Sequence, residues 1–320
     1  MDVIGVGALN VDLFYEVPDL SIAGRRFEPG GQAFLDEASF TEVSDDLGRR
    51  GKLVGRSGGG SAANTVAALS RMGYDTGFLG VVGKDDHGKF LLRSMEGADT
   101  SRVKKFQKSG MCVSMLHGGD RSLLVLPNAN EYFSFTEDDV GFLNSSKFVH
   151  LSSFAGDNPL NAQKRLVEQL DDQVYVSFAP GERYARRGLK QMRDLVARSR
   201  ILFVNDREVE LLTGLGPKEG SRALLDVGPN VVACTRGERG SWIITKNSEI
   251  EVPAKRTVVV DKTGAGDVYA AGFLAGYLDG ATLEVCGEIA SAAAALSIAS
   301  YGRSGYPDER FLRRYASELA

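Results

Sequence analysis

The stretch DKTGAGDVYAAGFLAGYL, residues 261–278, joins a glycine turn to an apolar run with helical periodicity. Three valines at 258–260 precede it, so we expect a buried strand that ends at Asp261. The Gly-Ala-Gly turn at 264–266 then leads into a buried helix that begins at about Asp267. Because the first N–H groups of a helix lack internal acceptors and lie at the positive end of its dipole, the turn predicts an anion-binding pocket.

Asp267 stands in the first turn of that predicted helix. The helix dipole stabilises a carboxylate there, so a capping role alone accounts for it. A carboxylate beside an anion pocket is also what phosphoryl transfer to an alcohol requires, because one group must accept the hydroxyl proton while N–H dipoles stabilise the transferred phosphoryl group. Gly272 and Gly276 lie four residues apart and predict close packing against another helix, for which the alanine-rich segment 288–299 is a natural partner.

Working outward, short β-branched runs alternate with longer helical patterns along most of the chain. The strand-like runs are residues 3–9, 76–83, 148–153, 174–178, 201–205 and 231–235. This alternation predicts an α/β fold with a mainly parallel sheet covered on both faces. Ligands of such sheets bind at the carboxyl ends of the strands. The polar residues expected at those ends are Asn10, Asp12, Asn205 and Thr235.

Two regions depart from the alternating pattern. Residues 13–57 are polar and glycine-rich, and residues 111–135 predict a hairpin that turns at His117–Arg121. Together they are consistent with a small β lid over the sheet edge. For 13–57, a mobile surface loop is an equally supported interpretation.

Composition excludes several classes of protein. The 320-residue chain is 43% hydrophobic and 25% charged, with a net charge of −4, which is typical of a globular protein and gives no basic excess for nucleic acid. Its three cysteines show no CxxC pair, so neither disulfides nor a zinc site is indicated. No signal peptide or membrane-spanning run is visible, so we expect a cytoplasmic protein.

Two glycine motifs are misleading. GVGALN (5–10) begins like a dinucleotide-binding turn but has Asn10 in place of the third glycine, and GKDDHGKF (83–90) has P-loop spacing without the Ser or Thr that reaches Mg²⁺. GGGSAAN (58–64) and NDRE (205–208) are explained, taken singly, by a flexible loop and by a capping box.

Considered together, the motifs resemble those of the ribokinase-like (PfkB-type) carbohydrate kinases. The motifs that carry the resemblance, in order, are GGSAAN (59–64), GKDDHG (83–88), NDRE (205–208), TRGERG (235–240) and DKTGAGD (261–267). The resemblance covers the whole chain and implies one domain, 1–320, built as a three-layer αβα sandwich with a lid from segments near 13–57 and 111–135. It also implies transfer of the γ-phosphoryl group of Mg-ATP to a hydroxymethyl group of a sugar.

The resemblance further implies a role for each matching position. The catalytic residues would be Asp267 as general base and the backbone N–H groups of Gly264, Ala265 and Gly266 as the anion hole. The substrate would be held by Asn10, Asp12, Gly60 and Asn64. The nucleotide would be bound by Asn205, Glu208, Thr235 and Gly237, with Glu208 holding Mg²⁺ through water. Asp261 and Thr263 match positions that hold a monovalent cation in some members, which makes K⁺ an optional cofactor beside ATP and Mg²⁺.

Three departures from the family pattern bear on specificity. Lys262 stands where a small residue is usual, which puts K⁺ dependence in question, and Ala179 replaces a usual polar residue. The segment 13–57 is long and carries arginines that we expect to form a solvated face. A sharper hypothesis is that Arg56, beside the glycine run, binds a phosphate already present on the substrate.

Several alternatives stay open on sequence alone. The substrate could be a nucleoside, with Phe14, Phe34 or Phe40 packing on its base, or a sugar phosphate. A catalytically silent binding protein on the same fold is a rival from another class, which the intact Gly-Ala-Gly turn and Asp267 disfavour. A dinucleotide-dependent oxidoreductase is weaker still. The partner would be a small molecule, and an exposed lid edge would be a natural site for a homodimer.

Overall fold

The computed structural model describes residues 1–95, 97–118 and 120–319. Its strands are β1 (Val3–Val6), β2 (Asn10–Glu16), β3 (Ser21–Ile22), β4 (Arg25–Arg26), β5 (Gln32–Phe34), β6 (Lys52–Gly59), β7 (Thr76–Leu79), β8 (Val81–Val82), β9 (Ala98–Asp99), β10 (Lys104–Lys105), β11 (Gly110–His117), β12 (Asp120–Leu126), β13 (Phe148–Ser152), β14 (Tyr175–Ala179), β15 (Ser199–Asn205), β16 (Val231–Thr235), β17 (Ser241–Ile244) and β18 (Glu249–Val252).

The helices are α1 (Glu37–Arg50), α2 (Ser61–Arg71), α3 (Asp86–Arg93), α4 (Glu137–Asn144), α5 (Asp157–Val167), α6 (Gly181–Ala185), α7 (Gly188–Arg198), α8 (Asp206–Thr213), α9 (Pro217–Leu225), α10 (Ala265–Leu278), α11 (Leu283–Ser297) and α12 (Glu309–Leu319). Among the described residues, none of these helices is long and apolar enough to cross a bilayer.

A nine-stranded sheet, counted over the described residues, forms the centre of the molecule. Its order is β18-β17-β16-β15-β14-β13-β1-β7-β9, parallel from β16 to β9 and antiparallel at β17 and β18. Val3 and Ile4 are adjacent on β1 and fully buried, yet they belong to two different cores, one on each face of the sheet. One core contains residues of α2, α10 and α11, and the other contains residues of α5, α7, α8 and α9. The expected three-layer arrangement follows from this double burial.

A second sheet, here called the small sheet, has the order β5-β12-β11-β2-β6. Alternate residues of its strands face opposite sides. Val113, Met115, Leu124 and Leu126 pack with Phe40, Val43 and Leu47 of α1 in a separate apolar cluster. The other side of the sheet is turned toward the carboxyl ends of the central strands. The predicted hairpin is present as β11 and β12, with His117 paired to Asp120.

The segment 13–57 is therefore ordered into strands, and the mobile-loop interpretation of it is wrong. The sequence reading also missed α1, which occupies Glu37–Arg50. Its signals are local: Asp36 caps the first turn by accepting a hydrogen bond from the N–H of Ser39, and arginines end the last turn. The helix covers the outer face of the small sheet, which would otherwise be exposed apolar surface.

The predicted strand at 258–260 is also wrong. No strand lies between β18 and α10 in the described chain, and Val258 is 78% exposed. The antiparallel pair β17 and β18 already completes this edge of the sheet. The segment instead runs past the end of α11, where the N–H groups of Val260 and Asp261 donate to the carbonyl of Ile298. Apolarity alone cannot distinguish such a loop from a buried strand.

The packing of α10 against α11 agrees with the glycine spacing. A Cβ on Gly272 would lie 2.9 Å from Cα of Ala290, and one on Gly276 would lie 3.1 Å from Cα of Cys286. The first distance is shorter than real Cβ contacts, and the second is tighter than most of them, so glycine permits the two helices to approach this closely. This contact fixes α10, and with it the turn at its amino end.

Candidate active site

A cavity of about 410 Å³ lies between the carboxyl ends of the central strands and the inner face of the small sheet. This volume is within the range of small-molecule sites, roughly 300–1,000 Å³. Residues named from the sequence that line it are Asn10, Asp12, Gly60, Asn64, Asn205, Glu208, Thr235, Thr263, Gly264, Ala265, Gly266 and Asp267. The fold thus brings distant motifs together around one space, which we call the cleft.

Asp267 lies at the floor of the cleft in the first turn of α10. The side-chain amide of Asn64 donates a hydrogen bond to Oδ2 of Asp267 at 2.8 Å. Burial raises the pKa of Asp267 to about 7, while hydrogen bonds from Asn64 and Ser61 and the charge of Arg303 oppose that rise. A carboxylate with a pKa near neutrality is well matched to accept a proton from an alcohol.

The turn before α10 presents backbone donors to the same space. Gly264 caps the helix with φ +76°, a left-handed conformation that favours glycine. The N–H of Ala265 donates to the carbonyl of Lys262 at 3.3 Å, whereas the N–H groups of Gly264 and Gly266 donate to no acceptor within the described structure. Two free donors at the positive end of a fourteen-residue helix form a site suited to an anion.

Gly60 places α2 beside Asp267. Gly60 has φ +103°, and a Cβ there would lie 1.9 Å from the carbonyl oxygen of Ala8. Only glycine lets the chain pass this close to the end of β1 and start α2, which carries Asn64 one turn later. In the next position, the hydroxyl of Thr65 donates to the backbone carbonyl of Asp267 at 3.1 Å, joining α2 to α10.

Arg303 holds the side chain of Asn64, which in turn donates to Asp267. The sequence analysis did not name Arg303 as a site residue. It is 9% exposed, and its Nε donates to Oδ1 of Asn64 at 3.1 Å. Its Nη1 donates to the carbonyl of Ser94 at 3.0 Å. Arg303 thus fixes the Asn64 amide so that its NH₂ group faces Asp267. The chain gives no local signal for this role, because 239 positions separate the two residues.

Asp12 lies opposite, on the small sheet. Burial and the nearby charges of Asp261 and Asp267 raise the pKa of Asp12 to about 7, although the guanidinium of Arg303 opposes the rise. Its neighbours across the sheet, in register, are Cys112, Val125 and Phe34. All four line the cleft, so the small sheet presents a row that begins with a carboxylate and ends with an aromatic ring.

Asn205 and Glu208 form the capping box expected from the NDRE motif. The Asn205 side chain accepts a hydrogen bond from the N–H of Glu208 at 2.8 Å, and Glu208 accepts one from the N–H of Asn205 at 3.1 Å. Burial raises the pKa of Glu208 to about 7. The described residues contain no cluster of three or more His, Cys, Asp or Glu side chains that could hold a metal by themselves. One buried carboxylate beside the cleft does fit Mg²⁺, which usually binds one or two carboxylates together with substrate phosphates and water.

A second cavity of about 680 Å³ adjoins the cleft at Ala265 and Gly266. Gly237 lines this cavity and not the first, whereas Thr235 lines both. The exposed Val259 and the partly buried Ile298 form part of its apolar wall. The valine run mistaken for a strand therefore borders a ligand-sized space.

Asp261 and Thr263 contact Arg121 of the small sheet. Nη1 of Arg121 donates to Oδ1 of Asp261 at 3.2 Å and also to the Thr263 hydroxyl. The other carboxylate oxygen of Asp261 is buried and has no partner among the described residues, so it could serve as a ligand to a cation. Lys262 lines both cavities, and its Nζ lies 3.8 Å from the carboxylate of Glu238. Sequence reasoning placed Arg121 in the hairpin turn and did not connect it with this carboxylate.

Arg56 does not line the cleft in the described structure, contrary to the hypothesis that it binds a substrate phosphate. Its guanidinium lies 2.9 Å from Nδ1 of His87 and stacks on Phe90 at 3.9 Å. Phe14 and Phe40 are buried in packing, at 1% and 9% exposure, and only Phe34 of the three proposed aromatics reaches the cleft.

Comparison with known proteins identifies the family. Residues 33–309 match the sequence profile described as "pfkB family carbohydrate kinase". An "Uncharacterized sugar kinase" of Archaeoglobus fulgidus is 38% identical over 247 residues, covering 75% of this chain and 98% of that protein. The "ATP-dependent ribose-1-phosphate kinase" of Halopiger xanaduensis is 32% identical over 268 residues, covering 82% and 88%.

Solved structures support the same fold. The crystal structure of adenosine kinase from Sinorhizobium meliloti aligns over 100% of this chain and 99% of its own, with a TM-score of 0.86 and 24% identity. The expected ribokinase-like sandwich with a mainly parallel sheet is confirmed. With its motifs, fold and relatives in agreement, the chain is a carbohydrate kinase of the PfkB family.

Proposed function

We propose that this kinase transfers the γ-phosphoryl group of ATP to a hydroxymethyl group of a sugar or of a nucleoside's sugar, with Asp267 as general base. The observation that carries the proposal is the position of Asp267, a buried carboxylate with a pKa of about 7 beside two free N–H groups. The relatives named as an ATP-dependent ribose-1-phosphate kinase and as nucleoside kinases support both the donor and the acceptor class.

In this proposal, Asp267 accepts the proton of the acceptor hydroxyl as the oxygen attacks the γ-phosphorus. A new O–P bond forms, the bond to the β-phosphate oxygen breaks, and ADP leaves. The free N–H groups of Gly264 and Gly266, with Ala265 between them, stabilise negative charge on the transferred group. Such fixed donors are effective because they need no reorganisation during the reaction.

The remaining roles follow from position around the cleft. Asn10, Asp12, Gly60 and Asn64 would bind the hydroxyls of the acceptor. The nucleotide would extend from the cleft into the second cavity, along Thr235 and Gly237. Asn205 and Glu208 would hold Mg²⁺ on the nucleotide phosphates, where its charge offsets the charge of the phosphoryl groups.

The small sheet would act as the lid of a single kinase domain. Its inner face forms one wall of the cleft, and Arg121 ties it to Asp261. Closure would exclude water and hold the two substrates in contact. The sheet's outer strands, β5 and β6, are the edges through which a homodimer would form.

A monovalent cation at Asp261 and Thr263 is a separate proposal. The unpartnered oxygen of Asp261 supports it, whereas the guanidinium of Arg121 already places a positive charge on the same carboxylate. Initial rates are compared in potassium chloride and in tetramethylammonium chloride at equal ionic strength. A higher rate in potassium would support the cation site, and equal rates would leave Arg121 as the positive charge on Asp261.

The kinase proposal is tested by measuring ADP formation from Mg-ATP with ribose, inosine, cytidine and ribose 1-phosphate as acceptors. Phosphorus NMR of the product identifies the oxygen that receives the phosphoryl group. We expect at least one acceptor to give a new phosphate ester at a CH₂–O position. A product phosphorylated only at a secondary or anomeric hydroxyl would contradict the proposed acceptor group.

A further inference from the structure

Arg183 of α6 lines the cleft without a charged partner. Its guanidinium stacks on the ring of Phe34 at 3.8 Å, and its Nε is buried with no hydrogen-bond acceptor. Across the described residues, no carboxylate lies within ion-pair distance of it. The next arginines differ, since Arg186 pairs with Glu182 and Arg187 pairs with Asp157.

This isolation is costly for the protein alone. A guanidinium carries five N–H donors in a planar fork, and burial removes water from the Nε donor of Arg183 without supplying an acceptor. Burial and the neighbouring charge of Arg187 lower the pKa of Arg183, and the more distant charges of Glu131 and Asp157 offset this only in part. A stacked, pre-oriented arginine without an acceptor, inside a ligand cleft, is well suited to a ligand that brings an anionic group.

The register of the small sheet locates this group relative to the acceptor sugar. Asp12, Cys112, Val125 and Phe34 are direct neighbours on four adjacent strands. Strands lie about 4.8 Å apart, so the row spans about 14 Å from Asp12 to Phe34. The proposed sugar site is at the Asp12 end and Arg183 is at the Phe34 end. A single pyranose or furanose ring does not fill this length, which leaves room for a substituent that reaches Arg183.

We propose that the acceptor is a sugar bearing an anionic group, either a phosphate monoester or a carboxylate, and that Arg183 binds this group. The inference rests on the proposed kinase function and names its substrate class. It moves the phosphate-binding role considered for Arg56 to a residue that the fold brings into the cleft. Arg121 lines the same space, but its charge is already engaged by Asp261.

The test measures equilibrium binding, so that it does not depend on turnover. Isothermal titration calorimetry is performed on Asp267→Asn protein with ribose, ribose 1-phosphate, gluconate, inosine and Mg-ATP. The same titrations are repeated after adding Arg183→Met or, as the matched control, Arg186→Met. Methionine removes the guanidinium but keeps an apolar side chain next to Phe34, and melting temperatures verify the fold. An Arg183→Lys variant retains the charge without the fork.

We expect ribose 1-phosphate, gluconate or both to bind at least tenfold more tightly than ribose. Arg183→Met should weaken that binding by about 10- to 100-fold, as expected for loss of a hydrogen-bonded charge, and leave ribose unchanged. Arg183→Lys should retain part of the affinity, and Arg186→Met should retain all of it. Tighter binding of ribose 1-phosphate would identify the anionic group as a phosphate, and tighter binding of gluconate would identify it as a carboxylate.

Three results would overturn the inference. Both anions could bind no better than ribose, or Arg183→Met could weaken Mg-ATP instead, which would assign Arg183 to the nucleotide phosphates. It could also weaken inosine alone, which would make Arg183 part of a base pocket. If the unmutated enzyme formed no ADP with any acceptor, the kinase proposal would fail while these binding results would still decide the role of Arg183.

Discussion

Replacing Asn64 with alanine should shift the pH dependence of this kinase toward alkaline pH. The Asn64 amide donates to Oδ2 of Asp267 at 2.8 Å and stabilises the ionised form of that carboxylate. In the folded protein, burial already raises the pKa of Asp267 to about 7. Because this hydrogen bond opposes the effect of burial, its loss must raise the pKa further.

The size of the shift follows from the energy of the bond. A hydrogen bond to a charged group contributes about 1.5–3 kcal/mol, and 1.36 kcal/mol corresponds to a tenfold change in a proton-binding constant. The acidic limb of kcat/KM, which requires ionised Asp267, should therefore move upward by about one to two pH units. Asn64→Ala also removes the acceptor of the hydrogen bond from Arg303, so it should lower the melting temperature.

The assay is the initial rate of ADP formation between pH 5 and 10 at low acceptor concentration. Thr65→Val is the matched control, because it removes a partly buried hydrogen bond between the same two helices. That bond is accepted by the backbone carbonyl of Asp267 and not by its carboxylate. Any direct contact of Asn64 with the acceptor lowers kcat/KM at every pH and does not move the midpoint. If the acidic limb did not move in Asn64→Ala, or moved equally in Thr65→Val, the hydrogen bond from Asn64 would not be what lowers the pKa of Asp267.

Three further outcomes are expected. Asp267→Asn should raise the melting temperature more at pH 8 than at pH 5, by about 1–2 °C per kcal/mol in a chain of this length. The reason is that burial raises the pKa of this carboxyl from 3.8 to about 7, so the folded state binds the proton more tightly than the unfolded state and loses stability as pH rises through that window; equal gains at both pH values would contradict this. Gly272→Ala should destabilise the fold by about 1–3 kcal/mol in urea titrations, whereas Gly48→Ala, with open space around its Cβ, should be neutral or stabilising; equal effects would remove the close-packing argument. Glu208→Gln should raise the Mg²⁺ concentration that gives half-maximal ADP formation, and an unchanged Mg²⁺ titration would exclude Glu208 from the metal site.

Much of the fold could be predicted because the informative signals are local. The alternation of apolar strands and helices, the capping residues at Asn205 and the glycine turn at 264–266 each report their own neighbourhood. The valine run at 258–260 was wrongly predicted as a strand, because hydrophobicity does not distinguish a segment that packs in a core from one that borders a ligand cavity. The helix α1 was missed because only Phe40, Val43 and Leu47 of its 14 residues are buried, so its apolar face is narrow.

The site was predictable only where a motif carries it. Asp267 and Asn64 stand within recognisable motifs, and the structure places them in hydrogen-bond contact. Arg303 and Arg183 have no motif and depend on long-range packing, so no spacing in the chain could identify them. The position of Arg56 next to three glycines suggested a binding role, but long-range packing places its guanidinium against His87 and not in the cleft.

The central claim is that Asp267 removes the proton from the acceptor. The most direct measurement is kcat for the best acceptor with the unmutated enzyme and with Asp267→Asn, an isosteric change that keeps the contact to Asn64. We expect kcat to fall by about 10²- to 10⁴-fold, with an intact fold by circular dichroism and unchanged binding of Mg-ATP. A kcat within tenfold of the unmutated enzyme would show that another group removes the proton.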